Sequence, residues 1–139
     1  MKTLAVIIAF TLTSFISHAQ DSLQTYTISV KVVNPLNNNG HVLIGLHTAD
    51  TFMKADGIQS AKIKVIDGQA IASFENLKPG NYAVMVVHDE NDNSRMDFEA
   101  NGMPKESYGM SNNPMLMGPP IFNDAKFELK EDTEISIRF

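Results

Sequence analysis

Apolar and polar residues alternate in short runs along this chain, and beyond the leading apolar stretch no run keeps a 3.6-residue period over helical length. Period two turns one face of each run toward a core, so the chain must bury its apolar side by stacking sheets. In TYTISVKVV (Thr25–Val33), Tyr26, Ile28, Val30 and Val32 alternate with Thr, Ser and Lys. NPLNNNG, from Asn34 to Gly40, is a turn cluster, and HVLIGLHT (His41–Thr48) reads as the next strand. In AKIKVIDGQAIASF, Ile63 and Val65 alternate with lysines, Asp67-Gly68 is a type I′ turn pair, and Ala70–Phe74 returns, which predicts a hairpin. NYAVMVV (Asn81–Val87), AKFELK (Ala125–Lys130) and TEISIRF (Thr133–Phe139) bring the count to about seven strands. The expected fold is all-β: a single antiparallel β-sandwich, Ig-like or prealbumin-like, with one long ordered loop. Leu77, Pro79, Gly80 and Tyr82 have the arrangement of a tyrosine corner, or of a plain Pro-Gly turn followed by a core Tyr.

The first residues stand apart. Lys2 gives a positive start, LAVIIAFTLTSFI has signal-peptide length, and Ser17 and Ala19 are small residues at the −3 and −1 positions of a cleavage site. Residues 1–19 are therefore expected to be a signal peptide, with a membrane anchor that stays attached as the bland alternative, and residues 20–139 one β-sandwich domain, exported to the periplasm or secreted, with no membrane span in the mature chain. The chain has no cysteine, which leaves no residue for a lipid anchor and no disulfide, so stability must come from packing or a bound ion. A net charge of −5 without any Lys/Arg cluster argues against nucleic acid as a partner.

The segment from 89 to 123 is long for a connection in a compact domain. It carries Phe98, Met103, Tyr108, Met110, Met115, Leu116, Met117, Ile121 and Phe122, too much apolar material for disorder, and is expected to fold over the sandwich. Its entrance is HDENDNSRMDF. Counting from Asp89, side-chain oxygens fall at positions 1 (Asp89), 3 (Asn91), 5 (Asn93) and 9 (Asp97), and position 7, Arg95, offers its backbone carbonyl. Alternate residues of a tightly curled loop point inward, so these oxygens can surround a hard cation, while Glu90, Asp92 and Ser94 point outward. Position 6 is Ser94, where such loops place Gly, and position 12 is Ala100, where a bidentate Glu would close the shell. With no helical flanks this is not an EF-hand. Glu99, Glu106, a carbonyl or water must complete the six to eight ligands that calcium prefers, and affinity is expected in the weak extracellular range of roughly 10⁻⁴ to 10⁻³ M. The bland alternative is an acidic loop rich in Asx-turns.

Other chemistries have weaker signals. His88, Asp89 and Ser111 are the residue types of a hydrolase triad, but no nucleophile-elbow sequence surrounds Ser111. Met103, Met110, Met115 and Met117 could serve copper as soft thioethers, or fill gaps beneath a loop. His41 and His47 share a strand face without a third ligand nearby, a poor start for zinc, and the asparagine run at 37–39 reads only as a turn.

The same stretch carries a resemblance. LKPGNYAVMVV followed by HDENDNSRMDFEANGMPKESYGMSNN resembles the domain of unknown function family 2141, small secreted bacterial proteins with a D-x-N-x-N-G-x-x-D loop followed by G-x-P-x-E-x-Y-G-x-S-N. Gly102, Pro104, Glu106, Tyr108, Gly109, Ser111 and Asn112 match the second part, and Ser94 departs from the first, where the family has Gly. The resemblance implies the sandwich and the ordered loop, and no activity. Similarity to prealbumin-like domains is looser, and the ending SIRF lacks the Tyr-Arg-Gly-Ser of the hydroxyisourate hydrolases.

The functional expectation is an exported binding or structural module of the cell envelope, its partner an envelope protein or glycan, with a calcium-organised loop. The three-part leader predicts a mature N-terminus at Gln20. N-terminal sequencing of protein taken from the cell envelope tests this, and an intact Met1 would refute it.

Overall fold

The alternating runs become strands that bury one face each. The computed structural model describes residues 24–139; the expected leader, residues 1–19, and its cleavage point lie outside them. The strands are β1 (Tyr26–Val33), β2 (His41–His47), β3 (Gln59–Lys64), β4 (Gln69–Leu77), β5 (Gly80–Asp89), β6 (Tyr108–Met110), β7 (Phe127–Leu129) and β8 (Thr133–Arg138). A single helical turn, α1 (Phe122–Ala125), precedes β7. One sheet has the order β4-β1-β8 and the other β3-β2-β5-β6, with β7 paired to the start of β5. Between the sheets lie Ile28, Val30 and Val32 of β1, Val42, Ile44 and Leu46 of β2, Phe74 of β4, and Val84 and Val86 of β5, all buried. These are the apolar positions of the period-two pattern, so the sandwich follows directly from the sequence. No helix among the described residues is long and apolar enough to cross a membrane.

The two sheets differ from the expected antiparallel sandwich of about seven strands in three ways. First, there are eight strands, because β6 is a three-residue strand inside the long segment, too short to carry an alternation signal. Second, β8 runs parallel to β1, pairing Val30 with Ile135 and Val33 with Arg138. It enters from β7, in the other layer, and fills the open edge of β1 in the direction that crossover leaves it. Third, the predicted hairpin is a turn without a shared ladder. Ile66 and Gln69 exchange backbone hydrogen bonds of 2.9 and 3.0 Å around Asp67 (φ 49°) and Gly68 (φ 70°), as a type I′ turn requires. Yet β3 and β4 then part into different sheets. Val65 is buried at the pivot, and each strand goes on to cover its own side of the core.

Tyr82 forms the tyrosine corner: it is buried, and its hydroxyl donates to the carbonyl of Lys78 at 2.8 Å.

The outer face of β5 is also buried. Ala83 and Met110 join Phe52 and Ala125 in a second cluster, flanked by Met85, Tyr108, Leu116 and Phe122. The long segment thus does fold over the sandwich, although Met103 (61 % exposed), Met115 (88 %), Met117 (92 %), Phe98 and Ile121 remain in solvent. Three consecutive polar residues hold it down. Ser111 Oγ accepts the Val84 N–H at 3.0 Å and donates to the Ala125 carbonyl at 2.5 Å. Asn112 Nδ2 donates to the carbonyls of Asp124 and Lys126. Asn113 donates to the Ser136 carbonyl and accepts the Arg138 N–H, answering the edge of β8 as a paired strand would.

The registers gather the features that matter at one end of the sandwich. His41 lies opposite both Lys64 and Asp89, and Val33 opposite both Gln69 and Arg138. The turns 34–40 and 65–68 and the loop after Asp89 therefore share one pole. The chain enters at the other, where Tyr26 pairs with Leu77.

Gly109 is the tightest contact where β6 meets β8: a Cβ there would stand 2.7 Å from the carbonyl oxygen of Arg138. Gly109→Ala should lower stability by about 1–3 kcal/mol through forced separation of these strands. Tyr82→Phe, which removes only the corner hydrogen bond, should lower it by about 1 kcal/mol. Urea unfolding of the two variants measures both, and a Gly109→Ala midpoint equal to the wild type would contradict the backbone contact.

Candidate cation site

β5 ends inside the protein. Its last residue, Asp89, is fully buried, and Gly40 sits against it so closely that a Cβ would lie 1.9 Å from the Asp89 carbonyl oxygen. Gly40 has φ +60°, so both its space and its conformation exclude other residues. The Asp89 carboxylate folds the chain back on itself, accepting the N–H of Asn93 (3.1 Å) on one oxygen and that of Ser94 (2.7 Å) on the other. Asn91 Oδ1 accepts the N–H of Asn93, and Asn93 Oδ1 that of Arg95, two Asx-turns in succession. The tight curl needs left-handed backbone at Asp92 and Ser94, both at φ 63°. Ser94 thus holds the conformation for which the family pattern has Gly, at some cost in strain.

Asn91 and Asn93 meet Asp97 through their amide nitrogens, while their side-chain oxygens are engaged in the Asx-turns. Asn91 Nδ2 and Asn93 Nδ2 both donate to Asp97 Oδ2, each at 2.7 Å. Glu106 comes in from the far side of the loop: its Oε2 accepts the Asp97 N–H at 2.8 Å, and the Lys105 N–H donates to the Asp97 carbonyl. Glu106 is buried, and its Oε1 has no hydrogen-bond partner. Arg95, assigned for its carbonyl, has an exposed side chain whose Nε stands 3.5 Å from Asp97 Oδ1. Glu99 does not join the group. It is exposed, and its backbone closes a separate turn with Gly102 and Met103.

The outward set, Glu90, Asp92 and Ser94, is a clamp rather than a solvated face. Glu90 Oε2 accepts Asn37 Nδ2 at 2.7 Å, across the pole from the β1–β2 turn. Asp92 Oδ1 meets Lys62 Nζ at 2.5 Å and His41 Nδ1 at 3.0 Å, and Lys62 also donates to Ser94 Oγ at 2.9 Å. The asparagine run is more than a turn. Asn38 Oδ1 accepts the Gly68 N–H, and the Asn39 carbonyl meets His88 Nε2 at 2.9 Å. Asn37, His41 and Lys62 are the site residues that sequence spacing missed, since their partners lie far away along the chain.

Charge is unevenly matched here. Asp89 and Glu106 are buried carboxylates without an ion pair among the described residues, and Asp97 has the exposed Arg95 beside it and Lys105 farther off. No three His, Cys, Asp or Glu side chains among the described residues gather closely enough to hold a metal by themselves, so a cation here would draw on asparagine and backbone oxygens.

The three residue types of a triad are each committed elsewhere. Ser111 Oγ is committed to Val84 and Ala125, the Asp89 carboxylate to Asn93 and Ser94, and His88 to Asn39, so no two members of the triad are hydrogen-bonded. The His88 ring is fully buried beside Phe139, at 5.8 Å between centroids, with Nδ1 lacking a partner. Met110 is packed in the second cluster, whereas Met103, Met115 and Met117 face solvent. His47 stands at the far end of β2 from His41, edge-on to Phe52, and burial pulls its pKa below the ordinary histidine value.

Lys62 bonding, with His41 nearby, holds the Asp92 carboxyl below the ordinary aspartate range, and the amides of Asn91 and then Asn93 do the same for Asp97. A depressed folded-state pKa means that these contacts stabilise the fold above the unfolded value of about 3.9 and are lost as pH falls through the lower folded values. Carboxyl-carbon NMR titration should therefore find both midpoints below about 3.9. Lys62→Ala should raise that of Asp92 and leave that of Asp97 in place; an unmoved Asp92 would remove Lys62 from the clamp.

No curated protein and no solved structure matches the chain. The profile of a family described as uncharacterised proteins conserved in bacteria, DUF2141, matches residues 30–137, which takes in β-strands from both sheets, the acidic loop and the Ser-Asn clamp. By that match the chain belongs to the DUF2141 family.

Proposed function

We propose that the protein is an exported cell-envelope module, binding or structural in kind, whose long loop is organised by a calcium ion, and that its partner is an envelope protein or glycan. The observation that carries the calcium reading is the pair of buried carboxylates at the loop's two ends. Asp89 has no cation opposite it, and Glu106 keeps an oxygen with no partner. Backbone N–H groups of Asn93 and Ser94 answer Asp89 and that of Asp97 answers Glu106, but no opposite charge does, and a divalent cation would supply it. Asp89, Asn91, Asn93, Asp97 and Glu106 supply hard side-chain oxygens, and Arg95 a carbonyl. The asparagine oxygens each keep a lone pair beyond the one their Asx-turn occupies. On binding, the ion would replace the two amide donors on Asp97. Glu99, exposed and closing a separate turn, is left out of the proposed set. Oxygen ligands of this kind select calcium over soft ions, and their number gives the weak affinity suited to calcium-rich surroundings outside the cytoplasm. Export itself rests on the leader sequence.

Calcium at about 100 times Kd adds about 2.7 kcal/mol to native stability, a melting shift on the order of 10 °C for a domain of this size. With Kd near 10⁻⁴ M that condition is met at about 10 mM calcium. Glu106→Gln and Asp97→Asn should each abolish the shift, while Met115→Ala with Met117→Ala should retain it. Limited proteolysis should cut residues 89–107 faster after chelation while the sandwich persists. Absence of any calcium-dependent shift in the wild type, with cleavage equal in both conditions, would reduce the stretch to a self-satisfied acidic turn.

A further inference from the structure

From Asn113 to Pro120 the chain reads NPMLMGPP, and it holds two thioethers out in solvent. Both ends of this segment are tied down. Asn113 bonds the Ser136 carbonyl and the Arg138 N–H, and Phe122 and Ala125 of α1 join the second cluster. Leu116 packs against that same cluster, while Met115 and Met117 on either side of it are 88 % and 92 % exposed. Pro114, Pro119 and Pro120 have no N–H to give to a helix or a ladder, so the segment stays irregular between its fixed ends. Met110, part of the same cover, is 1 % exposed. The chain has no cysteine and no tryptophan, which leaves the soft, polarisable thioethers as its most readily oxidised side chains. Burial divides these thioethers into two chemical populations.

We propose that Met115 and Met117 form a site of reversible oxidation, taking oxygen from peroxides and returning to thioether through a thiol-dependent sulfoxide reductase. A sulfur lone pair attacks one peroxide oxygen and the O–O bond breaks. Thioether and hydrogen peroxide become sulfoxide and water, the sulfur losing the two electrons that the peroxide gains. In the return step two thiols become a disulfide, and the sulfoxide oxygen leaves as water. The chain has no thiol of its own, so the reductase supplies both. At Met110 a sulfoxide would set a polar, chiral group among Phe52, Ala83 and Ala125 and break the cluster. At Met115 and Met117 the added oxygen meets water, so the fold takes it without loss. A reductase must enclose the side chain it reduces, and thioethers standing clear on an irregular segment allow that. Met53 and Met103, 57 % and 61 % exposed, stand singly and rank between the pair and Met110. None of this depends on the calcium reading, since neither methionine is among the proposed ion ligands.

The test follows each methionine methyl signal of the [methyl-¹³C]methionine-labelled protein by NMR during treatment with hydrogen peroxide, the signals being assigned with single methionine-to-leucine variants. Met115 and Met117 should convert about tenfold or more faster than Met110, with Met53 and Met103 between them. Protein oxidised at the pair should keep the wild-type melting temperature. The two sulfoxide reductases, one for each sulfoxide epimer, should restore both signals with dithiothreitol as thiol source. Met115→Leu combined with Met117→Leu should fold as the wild type does and lose the fastest phase of peroxide consumption. Met110 converting as fast as the pair, a melting temperature that falls when the pair alone is oxidised, or sulfoxides that the reductases leave in place would each overturn the proposal.

Discussion

β5 is buried on both faces, and most of the architecture answers that constraint. Val84 and Val86 face the sandwich core while Ala83 and Met85 face outward, where an antiparallel sheet could have met water. An apolar outer face needs a cover, and the chain supplies one from the residues after the acidic loop. Met110, Leu116, Phe122 and Ala125 close over it. The cover has almost no regular secondary structure, so its backbone groups and those beneath it need other partners. Ser111, Asn112 and Asn113 provide them in three consecutive positions, reaching β5, the α1 region and β8 in turn. A serine with the residue type of a nucleophile is in this setting a backbone substitute.

The acidic loop is built from two interleaved sets. Asn91 and Asn93 turn inward to meet Asp97 while the Asp89 carboxylate holds the Asn93 and Ser94 N–H groups, and even-numbered residues from Glu90 to Ser94 reach back to the β1–β2 turn and to β2 and β3. Either set alone would leave the loop half-determined. The inward contacts give it curvature but no orientation on the body, and the outward contacts anchor it without closing it. Left-handed backbone at Asp92 and Ser94 lets neighbouring residues face opposite ways so sharply. At Ser94 glycine would relieve strain but lose the hydroxyl that accepts Lys62, so the serine trades conformational ease for anchorage.

The period-two runs made the long strands and their inner faces legible, and the 1, 3, 5, 9 spacing made the inward set of the loop legible. Both are local signals. What escaped was pairing choice. Nothing in DGQAIASF says that β4 will leave β3 for the other layer, and nothing in TEISIRF says that β8 will lie parallel to β1. β6 escaped because three residues, one of them Gly109, cannot show a period. Lys62 and His41 escaped because surface strand residues look alike until their partner, Asp92, is placed beside them. Met115 and Met117 were expected to pack on compositional grounds, yet the Pro- and Gly-rich chain around them holds them clear of the fold.

The parallel pairing of β1 with β8 also fixes how the molecule can be mounted. Antiparallel partners would bring the start of β1 and the end of β8 to the same side, but parallel ones hold them a strand's length apart, roughly 25 Å for eight residues. A stalk, bead or fusion joined ahead of Gln24 would therefore carry the domain upright, with the acidic loop facing away from the support. One joined after Phe139 would leave from the loop's own pole and crowd it.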